Sequence, residues 1–237
     1  MTRLDKFICD NSGYSRSQIK KLIQKGGVCV NSVPVRASDL KIDPENDSVS
    51  VLGEKIEYRK FVYLMLNKPE GYVSATEDRS EKTVLDLVGD ELSHRALFPA
   101  GRLDKDTVGF VLLTDDGDFA HRILSPKKHV PKTYIAKTDK PCDDGVVRAF
   151  EEGARLADGT VCLKAELRFL NEEKTLCEVV ICEGMYHQIK RMFASCGRRV
   201  VSLERVKMGA LPLDPTLKRG EYRELSSEEL GLISMTK

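Results

Sequence analysis

One arginine and two aspartates, Arg102, Asp104 and Asp106, stand in a short charged turn just ahead of an apolar run. The turn reads Gly101-Arg102-Leu103-Asp104-Lys105-Asp106-Thr107, and Val108 to Leu113 behind it has the length of a buried strand and is too short for a good helix. Gly101 and Gly109 permit backbone conformations that other residues resist. A carboxylate at the mouth of such a strand can be held rigidly beside a cation and still reach solvent. With an unperturbed pKa of about 3.9, an aspartate is ionised at neutral pH and competent as a nucleophile or a base. On spacing alone Asp104 and Asp106 are rivals for that part. The same residues also suit an ordinary solvated turn entering a core strand.

Other chemistries find little support. There is no Gly-rich phosphate loop, no dinucleotide fingerprint and no cluster of metal-ligating residues. The seven cysteines are scattered and odd in number, without a Cys-x-x-Cys pair, and the four histidines lie apart from them. That pattern predicts reduced thiols in a cytoplasm, against a disulfide framework and against a zinc site. The longest apolar run, Phe61 to Leu66, is far below the ~18 residues of a membrane span, and the charged N-terminus lacks the apolar stretch of a signal peptide. With 237 residues, 41% of them hydrophobic and 32% charged, the chain has room for one large domain or for a small one followed by a larger one.

The net charge is only +1, but the charge is segregated. Residues 1–25 hold six Lys/Arg against two Asp/Glu, and residues 119–140 and 185–210 each hold six against one. Residues 139–183 go the other way, with eleven acidic against six basic. Segregation of this kind can give a nearly neutral protein a basic face suited to a polyanion. Ordinary surface patchiness is the plainer alternative.

Periodicity gives the elements that must position these residues. Leu4, Phe7 and Ile8 form one face of a short helix, which Asn11 to Tyr14 breaks. Ser15 and Gln18 make a capping box for a second helix with Ile19, Leu22 and Ile23 inward and Arg16, Lys20, Lys21 and Lys25 outward. Gly26-Gly27 ends it, Val28 to Val30 reads as a strand, Asn31-Ser32 as a tight turn, and Val49 to Val51 as a later strand. Residues 1–58 therefore read as one module, the charged stretch Glu54 to Lys60 as a linker, and 61–237 as a second domain. Strands are expected near 61–66, 108–114, 133–138, 163–170, 175–182 and 199–208. Helices are expected near 81–88, 116–124, 143–151 and 187–196, with Ser226 and Glu229 capping a last one. Strands and helices mix without regular βαβ alternation, which predicts an α+β fold: a small N-terminal module, then a mixed, mainly antiparallel sheet with flanking helices.

The motif Gly-Arg-Leu-Asp-x-x-Thr-x-Gly-x-x-x-Leu-Thr-x-Asp-Gly, residues 101–117, resembles the signature of the pseudouridine synthases that modify ribosomal RNA. Three further stretches resemble the same family in the family's order: Asn67-Lys68-Pro69-x-Gly71, Lys132-Thr133-Tyr134-Ile135-Ala136, and Glu183-Gly184-Met185-Tyr186-His187-Gln188-Ile189-Lys190-Arg191-Met192. The N-terminal module, from Arg3-Leu4-Asp5-Lys6-Phe7 to Gly27-Val28-Cys29-Val30-Asn31, is similar to the RNA-binding module named after ribosomal protein S-four, with Ser32 where glycine is usual. Leu124 to Tyr134 looks most like the branch of the family that acts on small-subunit 16S RNA.

The resemblance implies an isomerase that detaches uracil from a ribose of ribosomal RNA and rejoins it through carbon five, with neither cofactor nor metal. It makes Asp104 the catalytic aspartate, Lys190 its basic partner at a position where arginine is commoner, and Tyr134 the active-site tyrosine. Arg191 is the alternative partner and a candidate RNA contact. Arg102 is expected to bind phosphate or replace the extruded base, and Arg16, Lys20 and Lys21 to bind RNA. His187 and Gln188 are expected to hold their loop together. The partner is ribosomal RNA, either naked or within an assembling particle. A monomer in the cytoplasm with no membrane contact is expected. The alternatives are a large-subunit enzyme of the same family, a non-catalytic RNA-binding assembly protein, and a carboxylate enzyme acting on a small molecule.

Overall fold

The computed structural model describes residues 1–125, 128 and 130–234. Their contacts divide the chain into two units, 1–62 with 88–96, and 63–87 with 97–237. Reading along the sequence assigned 88–96 to the second domain; in the fold these residues pack with the first unit. Arg95 is one reason. Its guanidinium donates to the backbone carbonyls of Asp10 (2.7 Å), Arg59 (3.0 Å) and Lys60 (3.3 Å).

In the first unit, β1 (Thr2–Arg3) leads into α1 (Leu4–Asn11) and α2 (Arg16–Gln24), followed by β2 (Val28–Val30), β3 (Val33–Pro34), β4 (Lys41–Ile42), β5 (Val49–Val51) and β6 (Glu54–Ile56). β1 pairs with β4, and the other four strands form a sheet in the order β3-β2-β5-β6. Leu4, Phe7, Ile8, Ile19 and Ile23 pack on Val28, Ile42, Val49 and Val51. The capping box is present: the Gln18 amide donates to the Ser15 hydroxyl (3.4 Å), and the Ser15 amide to the Gln18 side chain (2.8 Å). Asn31 and Ser32 both take left-handed conformations (φ 51° and 66°). Asn31 is tied to Asp47 and Ser48, just ahead of β5, at 2.8 Å and 2.9 Å. The expected linker at Glu54 is instead the strand β6. Its charges suit an edge strand with one row of backbone groups facing water, and a tight turn at Leu52-Gly53 sets its pairing with β5.

In the second unit, β7 (Tyr63–Lys68), β8 (Phe98–Pro99) and β9 (Val108–Thr114) precede α3 (Gly117–Leu124) and β10 (Lys132–Thr138). Then come α4 (Asp144–Glu152), β11 (Glu166–Phe169), β12 (Leu176–Ile181), α5 (Gln188–Ser195), β13 (Val200–Met208), β14 (Leu211–Pro212), β15 (Tyr222–Glu224) and α6 (Ser227–Ser234). The sheet runs β11-β12-β10-β13-β9-β7-β15, with β14 on β13 and β8 on β9. Its ladders are antiparallel except β9 with β13, where Arg205 lies opposite Gly109. β9 is buried on both faces, as its unbroken apolar run demands. Met65, Phe110, Leu112, Phe119, Ile123 and Met208 belong to one core cluster. Asp116 caps α3 by accepting from the Phe119 amide (2.9 Å) and the Tyr63 hydroxyl (2.6 Å). Residues 81–88 do not form the expected α-helix; only a 3-10 turn at Val84–Leu87 appears. The backbone at 82–84 is engaged by Val73 (Val73 N to Lys82 O 2.9 Å, Val84 N to Val73 O 3.0 Å), which leaves it unable to begin a helix.

At Gly109 the backbone of β13 leaves no room for a side chain. It has φ 102°, and a methyl group there would meet the Arg205 carbonyl oxygen at 2.3 Å. We expect Gly109→Ala to lower unfolding stability in denaturant by about 2–4 kcal/mol, from left-handed strain plus the steric conflict. A loss below about 0.5 kcal/mol, the range of a neutral surface change, would contradict that close approach.

Candidate active site

The turn before β9 is held from beneath by one lysine. Lys68, the last residue of β7, is fully buried. Its ammonium, with three donors, lies within hydrogen-bond distance of the carbonyls of Thr107 (2.7 Å), Asp104 (3.0 Å), Pro69 (3.1 Å) and Lys105 (3.2 Å). Burial pulls its pKa down to about 8, against the raising influence of Asp106 and Asp104. It therefore stays protonated at neutral pH and acts as a cationic clasp for the turn. Two further contacts tighten it. The Ser74 hydroxyl both donates to the Leu103 carbonyl and accepts from the Leu103 amide, each at 3.0 Å. The Gly71 amide reaches the Lys105 carbonyl at 2.9 Å. The motif Asn67-Lys68-Pro69-x-Gly71 thus anchors the backbone of the motif that carries Asp104.

Above the turn lies the first helical turn of α5. Lys190 Nζ is 2.8 Å from Asp104 Oδ2 and 2.5 Å from Asp106 Oδ1, so one ammonium bridges both carboxylates. His187 Nε2 stands 3.4 Å from Asp104 Oδ1. Asp104 is the more sheltered of the pair, with 26% of its side chain exposed against 62% for Asp106. Burial raises the Asp106 pKa, but the hydrogen bond and charge of Lys190 outweigh that and hold it below the ordinary value. The same pair of carboxylates raises the Lys190 pKa in spite of its burial. An ionised carboxylate fixed beside a cation, on a rigid turn and open to solvent, is suited to nucleophilic or base chemistry.

Tyr134 occupies another position, in the middle of β10, where it is buried and pairs in register with Arg205 of β13. Arg205 is itself buried. It donates through Nε to the Phe110 carbonyl (2.7 Å) and through Nη1 to the Tyr134 hydroxyl (3.4 Å), while its Nη2 has no hydrogen-bond partner among the described residues. Two residues before Tyr134, Lys132 is also buried. It donates to the Val130 carbonyl (3.0 Å), and burial together with the Arg205 charge lowers its pKa to about 8.

Of the residues singled out from sequence, Asp104, Asp106, Lys190 and His187 meet in one cluster, whereas Tyr134 is tied to Arg205. Arg191, the alternative partner for the aspartate, turns away to Asp158 and the Tyr186 carbonyl. Arg102 is exposed, as are Arg16, Lys20 and Lys21 on α2. Gln188 is buried and ties the loop to Glu183 (2.6 Å) and Met185 (3.1 Å). Within the stretch Leu124 to Tyr134, residues 126, 127 and 129 lie outside the described residues. Sequence reasoning gave no role to Lys68 or Arg205. A lysine directly following an apolar run, in Leu64-Met65-Leu66-Asn67-Lys68, was the available signal for the first. For the second, a basic residue in a strand offers none.

The chain matches the RNA pseudouridylate synthase family over residues 62–195 and the S4 domain over residues 2–48. It is 46% identical to an RNA pseudouridine synthase of Bacillus subtilis, YtzG, covering 98% of each chain. It is 40% identical to ribosomal small subunit pseudouridine synthase A of Escherichia coli K12, covering 98% of this chain and 99% of the relative. A crystal structure of a pseudouridylate synthase superposes with a TM-score of 0.69 at 39% identity, covering 98% of this chain and 100% of the other. The chain belongs to the RNA pseudouridine synthases, which are isomerases, and carries its S4 domain ahead of the synthase fold.

Proposed function

We propose that this chain isomerises a uridine of small-subunit (16S) ribosomal RNA to pseudouridine, with Asp104 as the reacting carboxylate. The observation that carries the reading is the Lys190 ammonium at 2.8 Å from Asp104 Oδ2, on a turn that Lys68 clasps from below. The reaction breaks the bond from uracil N1 to ribose C1′ and forms one from C5 to C1′. C5 loses a proton and N1 gains one, so no oxidant or reductant is involved. Lys190 holds the carboxylate in place through its ammonium. Tyr134 stacks on the extruded uracil, and Arg102 contacts the RNA backbone. The small-subunit target is supported by relatives named ribosomal small subunit pseudouridine synthase A over nearly the whole length. In this reading the second unit does the chemistry, and the first holds the RNA through Arg16, Lys20 and Lys21. Mapping pseudouridine in 16S RNA from a strain lacking the gene is the direct test. One missing site, restored by the wild-type gene, is expected. An unchanged 16S map with a site lost from 23S RNA would favour the large-subunit alternative, and no change in either would favour an assembly protein.

Asp104→Asn keeps the size of the side chain and removes its charge. It should lower turnover, measured by tritium release from 5-labelled uridine, by about 10⁴-fold or more. RNA binding should remain, since recognition is spread over many backbone contacts. An active Asp104→Asn alongside an inactive Asp106→Asn would transfer the role to Asp106.

Lys190→Met removes the ammonium that bridges Asp104 and Asp106. It should lower the single-turnover rate by about 10- to 150-fold, the factor equivalent to losing one hydrogen bond to a charged group. Lys190→Arg, which keeps the charge, should retain much of the activity. A Lys190→Met rate equal to wild type would refute the ion-pair role.

Replacing Arg16, Lys20 and Lys21 together with Gln should weaken RNA binding. The slope of log affinity against log salt should flatten by roughly 0.7–0.9 for each phosphate that the protein no longer neutralises. The fold should survive, because all three point outward from α2. An unchanged slope would give the module another purpose.

A further inference from the structure

Next to the carboxylate cluster is an aromatic ring that the chemistry described so far does not use. Tyr186 is 76% exposed, the most exposed aromatic side chain among the described residues. It is not a loose one. Its ring stacks on His187 with centroids 3.8 Å apart and planes 17° from parallel. His187 is in turn 3.4 Å from Asp104. The loop beneath is pinned at several points. Gln188 Oε1 accepts from the Met185 amide, and Gln188 Nε2 donates to Glu183, which also accepts from the Leu163 amide at 2.7 Å. Arg191 donates to the Tyr186 carbonyl at 3.4 Å. His187 is held in a left-handed conformation, φ 49°. A flat ring is thus presented to solvent with one face on the imidazole and the other uncovered, one side chain removed from the reacting carboxylate.

Such a placement answers a physical problem that the reaction creates. A uridine brought to Asp104 must leave its base stack, and unstacking costs a few kcal/mol. The neighbour it leaves behind loses a stacking partner. A rigid aromatic face at the rim of the site restores that partner, and does so for any base, since every base has a π-face. The cations at hand, Lys190 and Arg191, lie on the same helix.

We propose that Tyr186 is a stacking platform for the nucleobase adjacent to the extruded uridine, so that His187 and Tyr186 extend the RNA stack past the gap. The proposal rests on the pseudouridylation reading, and the experiment separates the two. The full chain is assayed on a 16S transcript in which the modified uridine has been mapped, and then on short RNAs around that site carrying an abasic nucleotide on either side of it. Absence of pseudouridine with the wild-type chain, both on the transcript and on a small-subunit particle assembled from it, overturns the reading and the platform with it. With an active wild type, Tyr186→Ala should weaken RNA binding by about 5- to 150-fold, the factor equivalent to removing one base–aromatic stack. Its single-turnover rate at saturating RNA should change by no more than about threefold, as expected when binding is weakened and transition-state stabilisation is not. Tyr186→Phe, which keeps the ring, should recover most of the affinity. An abasic nucleotide on one side of the uridine should weaken wild-type binding and leave Tyr186→Ala unaffected. Equal binding of wild type and Tyr186→Ala would overturn the proposal. So would equal sensitivity of the two proteins to the abasic RNA, which would mean that the ring meets sugar, phosphate or a protein partner instead of a base.

Discussion

The buried ammonium of Lys68 is the constraint on which the rest of the site depends. A charge taken out of water must be satisfied by hydrogen bonds, and what surrounds this one is mostly the backbone of the turn from Asp104 to Thr107. The carbonyls have to converge on a single point, which removes the freedom such a turn would otherwise have. Everything outward of the clasp inherits that order. Asp104 emerges from the turn at a set angle, Lys190 finds it and Asp106 at once, and the N-terminus of α5 settles against the pair. The Coulombic traffic runs both ways, since Asp106 and Asp104 help keep Lys68 charged against its own burial.

The choice of lysine at position 190 fits this geometry. A guanidinium fork favours two oxygens of one carboxylate, whereas an ammonium is a point charge with three freely disposed donors. Here one nitrogen serves carboxylates from two residues, 2.8 Å and 2.5 Å away. Deeper in the sheet, Lys132 and Arg205 form the opposite kind of cluster, buried and cationic, with Tyr134 between strand partners. Asp104 and Asp106 meet solvent beside Lys190, whereas these two cations lie inside the sheet.

Much of this could be read from sequence wherever a short-range rule governs. Ser15 with Gln18 and Ser226 with Glu229 announced their helix starts, because a cap is a contact between residues three apart. The strand at 108–114 was legible because both of its faces are buried. The meeting of Asp104 with Lys190, 86 residues apart, came from resemblance and not from spacing. What escaped depended on distant partners. The clasp of Lys68 reaches carbonyls 36 to 39 residues away, and Arg205 finds Tyr134 across 71 residues. β6 was mistaken for a linker because its charges suit either reading, and its identity is fixed only by β5. Residues 81–88 have a helical pattern, but Val73 claims their backbone first.

The division of the chain has a consequence for its synthesis. The polypeptide passes from one unit to the other after residues 62, 87 and 96. A domain that emerges first from a ribosome usually folds first, and the core of this one, Leu4 to Val51, is out by residue 62. Its last ties come later, with Arg95, whose guanidinium joins the carbonyls of Asp10, Arg59 and Lys60. By then β7 has also emerged, with Leu64, Met65 and Leu66 still lacking β9, their neighbour in the sheet. During that interval the nascent chain carries an apolar strand with no ladder to join.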